Sequence, residues 1–328
     1  KTGSVVVLTR KGSNVYVNGK KAGREVLFAP ARNVPGFLVK GNKYRGDMKA
    51  IPSSWGNGIT LINVLPMEDY LKGVVPSEIV PSWRMDAIKA QAVAARTYAT
   101  YHRNGYRSSG YDVTDDTRTQ VYRGFSAETA ATNRAVSETA GEVVTYAGKP
   151  IDALFHSSGG GFTENSENVW GSVIPYLRGV KEESSTYLMT PWKKTMTMAS
   201  FTKSLENAGY KIGDLKSIKL SHLKKGEANH SSDRGISGRV KSVVFVGKKG
   251  RATVSGERLQ RLYGLDSTLF DISAKGKELT ITGYGYGHGL GLSQWGAEAM
   301  AEKHGDGKNY YKTILSHYFT GTKIEKIY

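Results

Sequence analysis

The chain has 328 residues, of which 39% are hydrophobic and 23% are charged, a composition typical of a globular protein with a substantial core. It contains no cysteine, which excludes disulfides, thiolate metal sites and cysteine nucleophiles. The formal net charge of +17 favours a polyanionic partner such as nucleic acid, anionic lipid or an anionic wall polymer. No recognised nucleic-acid-binding motif accompanies this charge, so nucleic acid is not predicted as a partner.

Neither end of the sequence carries a membrane-spanning pattern. No apolar run approaches the roughly 20 residues that a transmembrane helix needs. The sequence begins at Lys1 and not at methionine, so we expect any export or anchor segment to have been removed or to lie outside it. These features are typical of an exported protein, and they predict an extracytoplasmic location.

Short β-rich runs separated by turns fill the chain up to about residue 65. Residues 5–8 (VVVL) and 15–17 (VYV) predict strands, and Asn18 with Gly19 predicts a tight hairpin turn after the second run. An alanine-rich stretch from Asp86 to Asn104 then predicts the clearest helix of the chain. Its alanines form a slim surface, which lets another element approach the helix closely.

The middle of the chain predicts a second helix and a hairpin. The helix extends over residues 126–139, with Ser126 as its N-cap and Gly141 as its stop. The hairpin consists of residues 143–146 and 151–155, and it leads into a loop that begins with His156. Loops at strand ends often carry functional residues.

A basic segment with alternating helices and strands follows. Helices are predicted near residues 200–208 and 256–263, and strands near 216–220 and 240–246. A glycine-alternating stretch and a helix near 293–303 close the chain. We therefore predict an α+β fold in which a mixed α/β core carries a β-rich N-terminal region and a basic α/β insert subdomain. The predicted division is 1–43 for the β-rich region, 44–192 for the first part of the core, 193–273 for the insert and 274–328 for the last part of the core.

Glu78 is the strongest candidate for acid–base chemistry. It lies between Val75 and Ile79, and apolar surroundings raise the pKa of a carboxyl group. A carboxylic acid that is protonated near neutral pH can protonate the leaving oxygen of a glycosidic bond. The alternative interpretation is that Glu78 is a helix-start acid or an ion-pair partner. If Asp115 or Asp116 lay opposite Glu78, a glycosidase with two carboxylates would become possible.

Other familiar site patterns fail or stay ambiguous. Residues 283–291 (GYGYGHGLG) do not satisfy G-x-G-x-x-G, so a dinucleotide site is excluded. That stretch holds His288 on a backbone with little bulk, which suits either a bulky ligand such as a sugar chain or tight strand packing. His156 and Ser157 precede three glycines, but the absence of G-x-S-x-G argues against a serine hydrolase. The seven histidines show no ligand spacing, so no metal and no cofactor are predicted.

Several blocks of the sequence together resemble the SpoIID/LytB family. The blocks are residues 67–78 (MEDYLKGVVPSE), 89–98 (KAQAVAARTY), 116–122 (DTRTQVY), 155–165 (FHSSGGGFTEN) and 287–297 (GHGLGLSQWGA). They extend from about Tyr44 to the end of the chain. The resemblance implies one of two functions. In the sporulation branch the protein is a lytic transglycosylase that remodels peptidoglycan, and the catalytic glutamate falls on Glu78. In the other branch it is a secreted, wall-associated and basic enhancer of an amidase autolysin.

The resemblance therefore implies a set of partners and site residues. The net charge favours the enhancer, whereas Glu78 in its apolar frame favours the transglycosylase, which we take as the leading prediction. Glu78 would then cleave the bond between N-acetylmuramic acid and N-acetylglucosamine and leave a 1,6-anhydro product. The implied partners are glycan strands, anionic wall polymers and a cell-wall amidase. The predicted substrate-binding residues are Gln91, Gln120, His156, Ser157, His288 and Gln294, while Arg96 is equally suited to a structural ion pair.

Overall fold

The computed structural model mixes helices and strands along the whole chain, and the predicted α+β class is confirmed. No helix among the described residues combines enough length with enough apolar character to span a lipid bilayer. The structure describes residues 4–31, 36–183, 190–305, 307 and 309–328.

The chain folds into two compact units, and each is built from segments that are separate in sequence. Unit 1 comprises Lys1–Val143, Pro150–Asp152 and Glu325–Tyr328. Unit 2 comprises Val144–Lys149 and Ala153–Ile324. The division into four segments, made from the sequence, stays a prediction.

The β-rich part of unit 1 consists of small antiparallel sheets. The predicted hairpin turn is confirmed, with positive φ at Asn18 and Gly19. The strand predicted over residues 5–8 begins only at Leu8. The carbonyl oxygen of Val7 accepts the N–H of Asn18, and the N–H of Val7 donates to the side-chain oxygen of Asn18, so neither group pairs with a neighbouring strand residue in the regular ladder. The strands are β1 (Leu8–Lys11), β2 (Asn14–Val17), β3 (Lys20–Gly23), β4 (Val26–Phe28), β5 (Phe37–Val39), β6 (Asn42–Tyr44), β7 (Asp47–Pro52) and β8 (Ile59–Val64). Their orders in the sheets are β1-β2-β3 and β4-β7-β8, and β5 pairs with β6.

The helical part of unit 1 consists of α1 (Met67–Glu78), α2 (Met85–Tyr101) and α3 (Ala130–Glu138). Helix α2 confirms the alanine-rich prediction, and its buried alanines pack against α1 and α3. Helix α1 was not predicted, because Gly73 and Pro76 lie within it. Gly73 is needed there, since a Cβ at that position would lie 2.5 Å from the ring of Tyr122.

The start of α3 differs from the prediction. Thr129, and not Ser126, is the N-cap, and its hydroxyl accepts a hydrogen bond from the N–H of Thr132 at 3.3 Å. Ser126 instead accepts a hydrogen bond from the N–H of Lys43 at 2.9 Å, so its hydroxyl serves a tertiary contact within unit 1. A preference for serine at N-caps does not distinguish these two uses of the same side chain.

Strands β9 (Glu142–Tyr146) and β10 (Lys149–Pro150) lie where the chain passes from unit 1 to unit 2 and back. The predicted strand over 151–155 is shorter than expected, since only β11 (Phe155–His156) forms and it pairs in parallel with β18 (Leu292–Ser293). The remaining elements of unit 2 are α4 (Ser166–Trp170), β12 (Trp192–Thr197), α5 (Met198–Asn207), β13 (Leu215–Lys219), β14 (Ser242–Gly247), β15 (Arg251–Ser255), α6 (Gly256–Tyr263), β16 (Phe270–Lys275), β17 (Glu278–Gly283), α7 (Gln294–His304), α8 (Tyr310–Tyr318) and β19 (Lys323–Lys326), which returns to unit 1.

The basic segment of unit 2 has its own hydrophobic core. The sheets β13-β14-β15 and β12-β17-β16 cover helices α5 and α6, and the predicted helix over residues 256–263 matches α6 residue for residue. Alternate residues of β14 are buried, with Val243 and Phe245 facing the core and Val244 facing the other way. One face of the β13-β14-β15 sheet is therefore packed and the other is partly exposed.

Candidate functional site

The predicted site residues are divided between the two units. Unit 1 holds the predicted acid Glu78 together with Gln91 and Gln120. Unit 2 holds His156, Ser157, His288 and Gln294.

Glu78 is the last residue of α1, so it is not the helix-start acid that the sequence left open. Ile79 leaves the helix in an extended conformation while its N–H still donates to the carbonyl oxygen of Val75 at 3.0 Å. Pro81 follows two residues later, and proline cannot continue a helix. The carboxyl group is thereby fixed at the C-terminal end of α1, where the helix dipole disfavours negative charge.

The electrostatic environment of Glu78 favours its neutral form. Burial raises the pKa of this half-buried carboxyl, and a hydrogen bond from the N–H of Val121 to Oε1, at 2.7 Å, lowers it only in part. Among the described residues no charged group contributes to this pKa, and only Val121 donates to the carboxyl group. Glu78 is therefore a carboxyl group that is anchored through one oxygen, and its raised pKa agrees with its apolar sequence context.

Gln120 holds the segment that supplies this anchor. Its side chain is buried, and its Nε2 donates to the hydroxyl of Tyr70 on α1 and to the carbonyl oxygen of Ala95 on α2, both at 3.3 Å. The next residue along the chain is Val121. Gln120 therefore connects both helices to the N–H that positions Glu78. Gln91, one turn before Ala95 on α2, is also fully buried.

The acidic pair near Gln120 has other partners. Asp116 forms an ion pair with Arg118 at 2.9 Å and accepts a hydrogen bond from the hydroxyl of Thr114. Arg118 lowers the pKa of Asp116 to about 2. Asp115 is exposed, and its backbone carbonyl oxygen accepts the N–H of Tyr122. Neither carboxylate influences the pKa of Glu78, so the geometry does not support a pair of catalytic carboxylates.

His156 and His288 lie together in unit 2, with ring centroids 5.3 Å apart. Nε2 of His288 donates to the carbonyl oxygen of Phe155 at 3.1 Å, and Nδ1 accepts the N–H of Leu290 at 3.0 Å, so backbone groups occupy both ring nitrogens. Nδ1 of His156 donates to the carbonyl oxygen of Leu290 at 3.1 Å, whereas its Nε2 has no hydrogen-bond partner among the described residues. Burial holds the pKa of His156 well below its ordinary value.

The glycines around His288 make room for the chain itself. A Cβ at Gly289 would meet the guanidinium group of Arg239, and a Cβ at Gly291 would meet the carbonyl oxygen of Leu154. The sequence left open whether these glycines make room for a bulky ligand or for tight packing of the chain, and tight packing explains Gly289 and Gly291. Ser157 is partly exposed and accepts the N–H of Trp295 through its backbone carbonyl, while Gln294 is buried at the start of α7.

Sequence reasoning missed a buried charged network beside this loop. Arg239 is buried, and its guanidinium donates to the carbonyl oxygen of Gly159 at 3.1 Å. Glu164 is completely buried and accepts hydrogen bonds from Ser237 and from the N–H of Ile236 at 2.9 Å. Burial also raises the pKa of Glu182, which accepts the N–H of Gly161 at 2.7 Å. Arg239 and Glu182 hold the glycine loop after His156, while Glu164 holds the segment before Arg239, and their separation in sequence concealed the connection.

Two family models match this chain. The model described as stage II sporulation protein, SpoIID, matches residues 56–146, which contain Glu78, Gln91 and Gln120. A domain of unknown function, DUF8618, matches residues 159–291, which include the basic segment of unit 2.

Individual relatives extend the match over most of the chain. An uncharacterized protein of Brachyspira hyodysenteriae is 34% identical over 291 residues, which is 88% of this chain and 74% of the relative. Stage II sporulation protein D of Bacillus subtilis is 34% identical over 282 residues, covering 80% of this chain and 75% of the relative. The amidase enhancer of Bacillus subtilis is 33% identical over 294 residues, covering 77% of this chain but only 40% of the relative. The chain therefore belongs to the SpoIID/LytB family.

Proposed function

We propose that this protein acts on the bacterial cell wall as a lytic transglycosylase, with Glu78 as the single acid and base. The observation that carries the proposal is the isolation of this carboxyl group. Burial raises the pKa of this carboxyl group, the N–H of Val121 holds it through Oε1, and no charged group among the described residues contributes to its pKa. A hydrolase needs a second carboxylate as base or nucleophile, whereas a transglycosylase uses a hydroxyl of its own substrate.

The proposed reaction has two proton transfers through one carboxyl group. Neutral Glu78 gives its proton to the oxygen that bridges N-acetylmuramic acid and N-acetylglucosamine, and the bond from that oxygen to C1 of muramic acid breaks. The resulting carboxylate then takes the proton of the C6 hydroxyl as O6 forms a bond to C1. The products are a 1,6-anhydro sugar and a new N-acetylglucosamine end. Water is not consumed, and Glu78 returns to its neutral form.

The other predicted site residues receive different roles from their surroundings. We propose that Gln120 and Gln91 act from the interior by positioning the Glu78 segment. His156 stays a predicted substrate-binding residue; because its Nε2 is buried and has no partner among the described residues, we propose that it acts by shaping the loop that follows it. We propose that Ser157 and Gln294 contribute to glycan binding at the same loop. His288 would contribute its ring face, because backbone groups occupy both of its nitrogens.

Product analysis of purified glycan strands, prepared with and without stem peptides, tests the proposal. We expect mass spectrometry to find 1,6-anhydro ends from wild type and a loss of at least about 100-fold from Glu78→Gln, since general acid catalysis contributes about that much. Asp115→Asn is the matched control in the same unit and should retain activity. Digestion in ¹⁸O water should leave the new ends unlabelled. Labelled reducing ends, or equal product from Glu78→Gln, would refute the mechanism.

A second function is favoured by the charge of unit 2 and by the relative named amidase enhancer. Residues 190–277 contain 18 Lys and Arg against 7 Asp and Glu, although they form about a quarter of the chain. We propose as the alternative that this segment binds anionic wall polymers and that the protein stimulates a cell-wall amidase. Adding the protein to that amidase on purified walls should then raise the rate of amide cleavage, also with Glu78→Gln. A flat rate would count against the enhancer.

A further inference from the structure

Residues 165–179, here called the α4 loop, are held together by their own polar groups. The hydroxyl of Ser166 donates to the carbonyl oxygen of Ser172 at 2.9 Å and accepts the N–H of Ile174 at 2.7 Å. The side chain of Asn165 accepts the N–H of Gly179 at 2.7 Å, which closes the two ends of the loop. These bonds give the α4 loop a defined conformation.

The α4 loop presents a tryptophan to solvent. Trp170, the last residue of α4, is 48% exposed, although tryptophan side chains are highly buried on average. Gly171 follows with φ of 78°, and its N–H donates to the carbonyl oxygen of Glu167 at 3.1 Å, so the helix ends directly after the indole ring. An exposed ring on a defined loop can contact a ligand at little cost in conformational entropy.

The ring of Trp170 lies against the ring of His288. Their centroids are 6.3 Å apart and their planes are inclined by 39°. His288 in turn lies 5.3 Å from the ring of His156, and its Nε2 is hydrogen-bonded to the carbonyl oxygen of Phe155 at 3.1 Å. Three segments of unit 2 therefore meet at His288, namely the loop that begins with His156, the α4 loop and the glycine stretch.

The three segments that meet at His288 contain almost no charged residues. Residues 155–163 and 284–295 contain no Lys, Arg, Asp or Glu, and residues 165–177 contain only Glu167. Both oxygens of Glu167 accept hydrogen bonds from Arg178, at 2.7 and 2.8 Å, so the two charges neutralise each other. These segments are an exception in a chain whose net charge is +17.

Exposed charged side chains lie beside these segments. Asp266 is exposed, and its backbone carbonyl oxygen accepts an N–H of the glycine stretch at 3.0 Å. Lys224 and Lys225 are exposed, and Nζ of Lys225 lies 4.7 Å from the centre of the Tyr284 ring. Lys181 is exposed just after the α4 loop, and the buried charges beneath the glycine loop are bonded to its backbone. Apart from the ion pair in the α4 loop, charge therefore lies beside the three segments and not within them.

We propose that Trp170 and His288 form a subsite for one uncharged sugar ring, an N-acetylglucosamine unit of the glycan strand. The C–H face of a pyranose ring is apolar and packs against an aromatic ring. N-acetylmuramic acid suits these segments less well, because its carboxylate or attached peptide would meet no Lys or Arg within them. The identity of the ligand rests on the proposed function, whereas the subsite does not require Glu78 to be catalytic.

Binding of a β-1,4-linked tetramer of N-acetylglucosamine to the full chain tests the subsite. This ligand contains no N-acetylmuramic acid, so the proposed reaction leaves it intact. We expect calorimetry to show saturable binding that Trp170→Leu weakens about 5- to 10-fold, because the aromatic contact is lost. Trp170→Phe keeps a ring and should retain most of the affinity. Trp55→Leu is the matched control, since Trp55 is 80% exposed in unit 1, and it should leave the affinity unchanged.

Fluorescence quenching distinguishes a contact with the sugar from a structural role of Trp170. Acrylamide quenches the emission of an exposed indole, and a bound sugar should protect Trp170 from it. Wild type and Trp55→Phe should show this protection, whereas Trp170→Phe should not. Raising the salt concentration from about 50 to about 500 mM should leave the affinity for this uncharged ligand unchanged, because screening acts on charges.

The outcomes separate the subsite from the proposed reaction. Absence of saturable binding in wild type, unchanged affinity in Trp170→Leu, or equal losses from Trp170→Leu and Trp55→Leu would overturn the subsite even if wild type makes anhydro products. Binding that depends on Trp170 without anhydro products would support the subsite and overturn the transglycosylase. Thermal unfolding identifies variants that fail to fold, and if Trp170→Leu is one of them, the quenching of Trp170→Phe decides the question.

Discussion

Glu78 shows how far one residue can be interpreted from its neighbours in sequence. The apolar residues beside it indicated a raised pKa, and burial in the structure has that effect. The anchoring N–H of Val121 was not predictable, since it lies 43 positions away and belongs to the backbone. Its only sequence signal was that Val121 lies in the family block 116–122. A local pattern predicts the solvation of a side chain better than it predicts its hydrogen-bond partner.

The raised pKa of Glu78 has a consequence for stability against pH. Ionising this buried carboxyl group lowers the free energy of unfolding. Wild type therefore loses stability as the pH rises from the ordinary pKa of glutamate to the raised pKa of Glu78. Glu78→Gln lacks this loss. We expect the melting temperature of Glu78→Gln to exceed that of wild type at pH 7 and to equal it near pH 4. Asp115→Asn serves as the control, and a difference that does not change with pH would contradict this assignment.

At the scale of elements, Arg96 joins parts of unit 1 that are distant in sequence. It is completely buried on α2 and forms a bidentate ion pair with Glu68 on α1, at 2.8 and 2.7 Å. It also donates to the carbonyl oxygens of Val136 on α3 and of Glu142 at the start of β9. Burial raises the pKa of Glu68, but the hydrogen bonds and charge of Arg96 outweigh it, and the net shift is downward. Of the two roles considered for Arg96, the geometry supports the structural one.

Breaking this ion pair should destabilise unit 1 strongly. Arg96→Met leaves the Glu68 carboxylate without its partner and is expected to lower the free energy of unfolding by about 3–5 kcal/mol. The double variant with Glu68→Leu should recover part of the loss. Urea denaturation measures both effects. Arg118→Met, which removes an exposed ion pair with Asp116, is the control and should change stability little. Equal losses from Arg96→Met and Arg118→Met would contradict the structural role.

The elements that the sequence predicted well are those with strong local patterns. The alanines of α2, the Asn18–Gly19 turn and α6 needed no tertiary information. Helix α1 escaped prediction because Gly73 is required by the ring of Tyr122, a contact between distant parts of the chain. The site follows the same rule. The lone carboxyl was found from its surroundings, whereas the N–H that anchors it belongs to a distant segment that local propensity does not specify.

At the scale of the whole molecule, part of the excess positive charge lies on one face of the β13-β14-β15 sheet. In the β13-β14-β15 sheet the three strands carry no acidic residue. Lys219 pairs in register with Val244 and Arg251 with Val246, so both cations lie on the face opposite the core. A surface of this kind attracts a polyanion through screened electrostatics.

Salt should therefore weaken binding to purified walls that retain their anionic polymers. We expect affinity to fall steeply between 50 and 500 mM salt, because counterions screen exposed charges over about 10 Å at 0.1 M. Reversing both sheet cations with Lys219→Glu and Arg251→Glu should weaken binding more than the matched pair Lys20→Glu and Lys21→Glu on β3. Co-sedimentation measures the bound fraction. A binding affinity that does not change with ionic strength would argue against an electrostatic partner.

The order of the segments in unit 1 has a consequence for how the protein matures. Tyr328 donates a hydrogen bond to Glu68, and the N–H of Ile327 donates to the carbonyl oxygen of Gly141 at 3.0 Å. Glu68, the ion-pair partner of Arg96, thus receives one of its hydrogen bonds from the last residues of this sequence. The ribosome makes these residues more than 170 positions after Gly141. Unit 1, and with it the setting of Glu78, reaches its final form only once nearly all of this sequence has been synthesised. A function that depends on Glu78 would therefore have to wait until Ile327 and Tyr328 have been made.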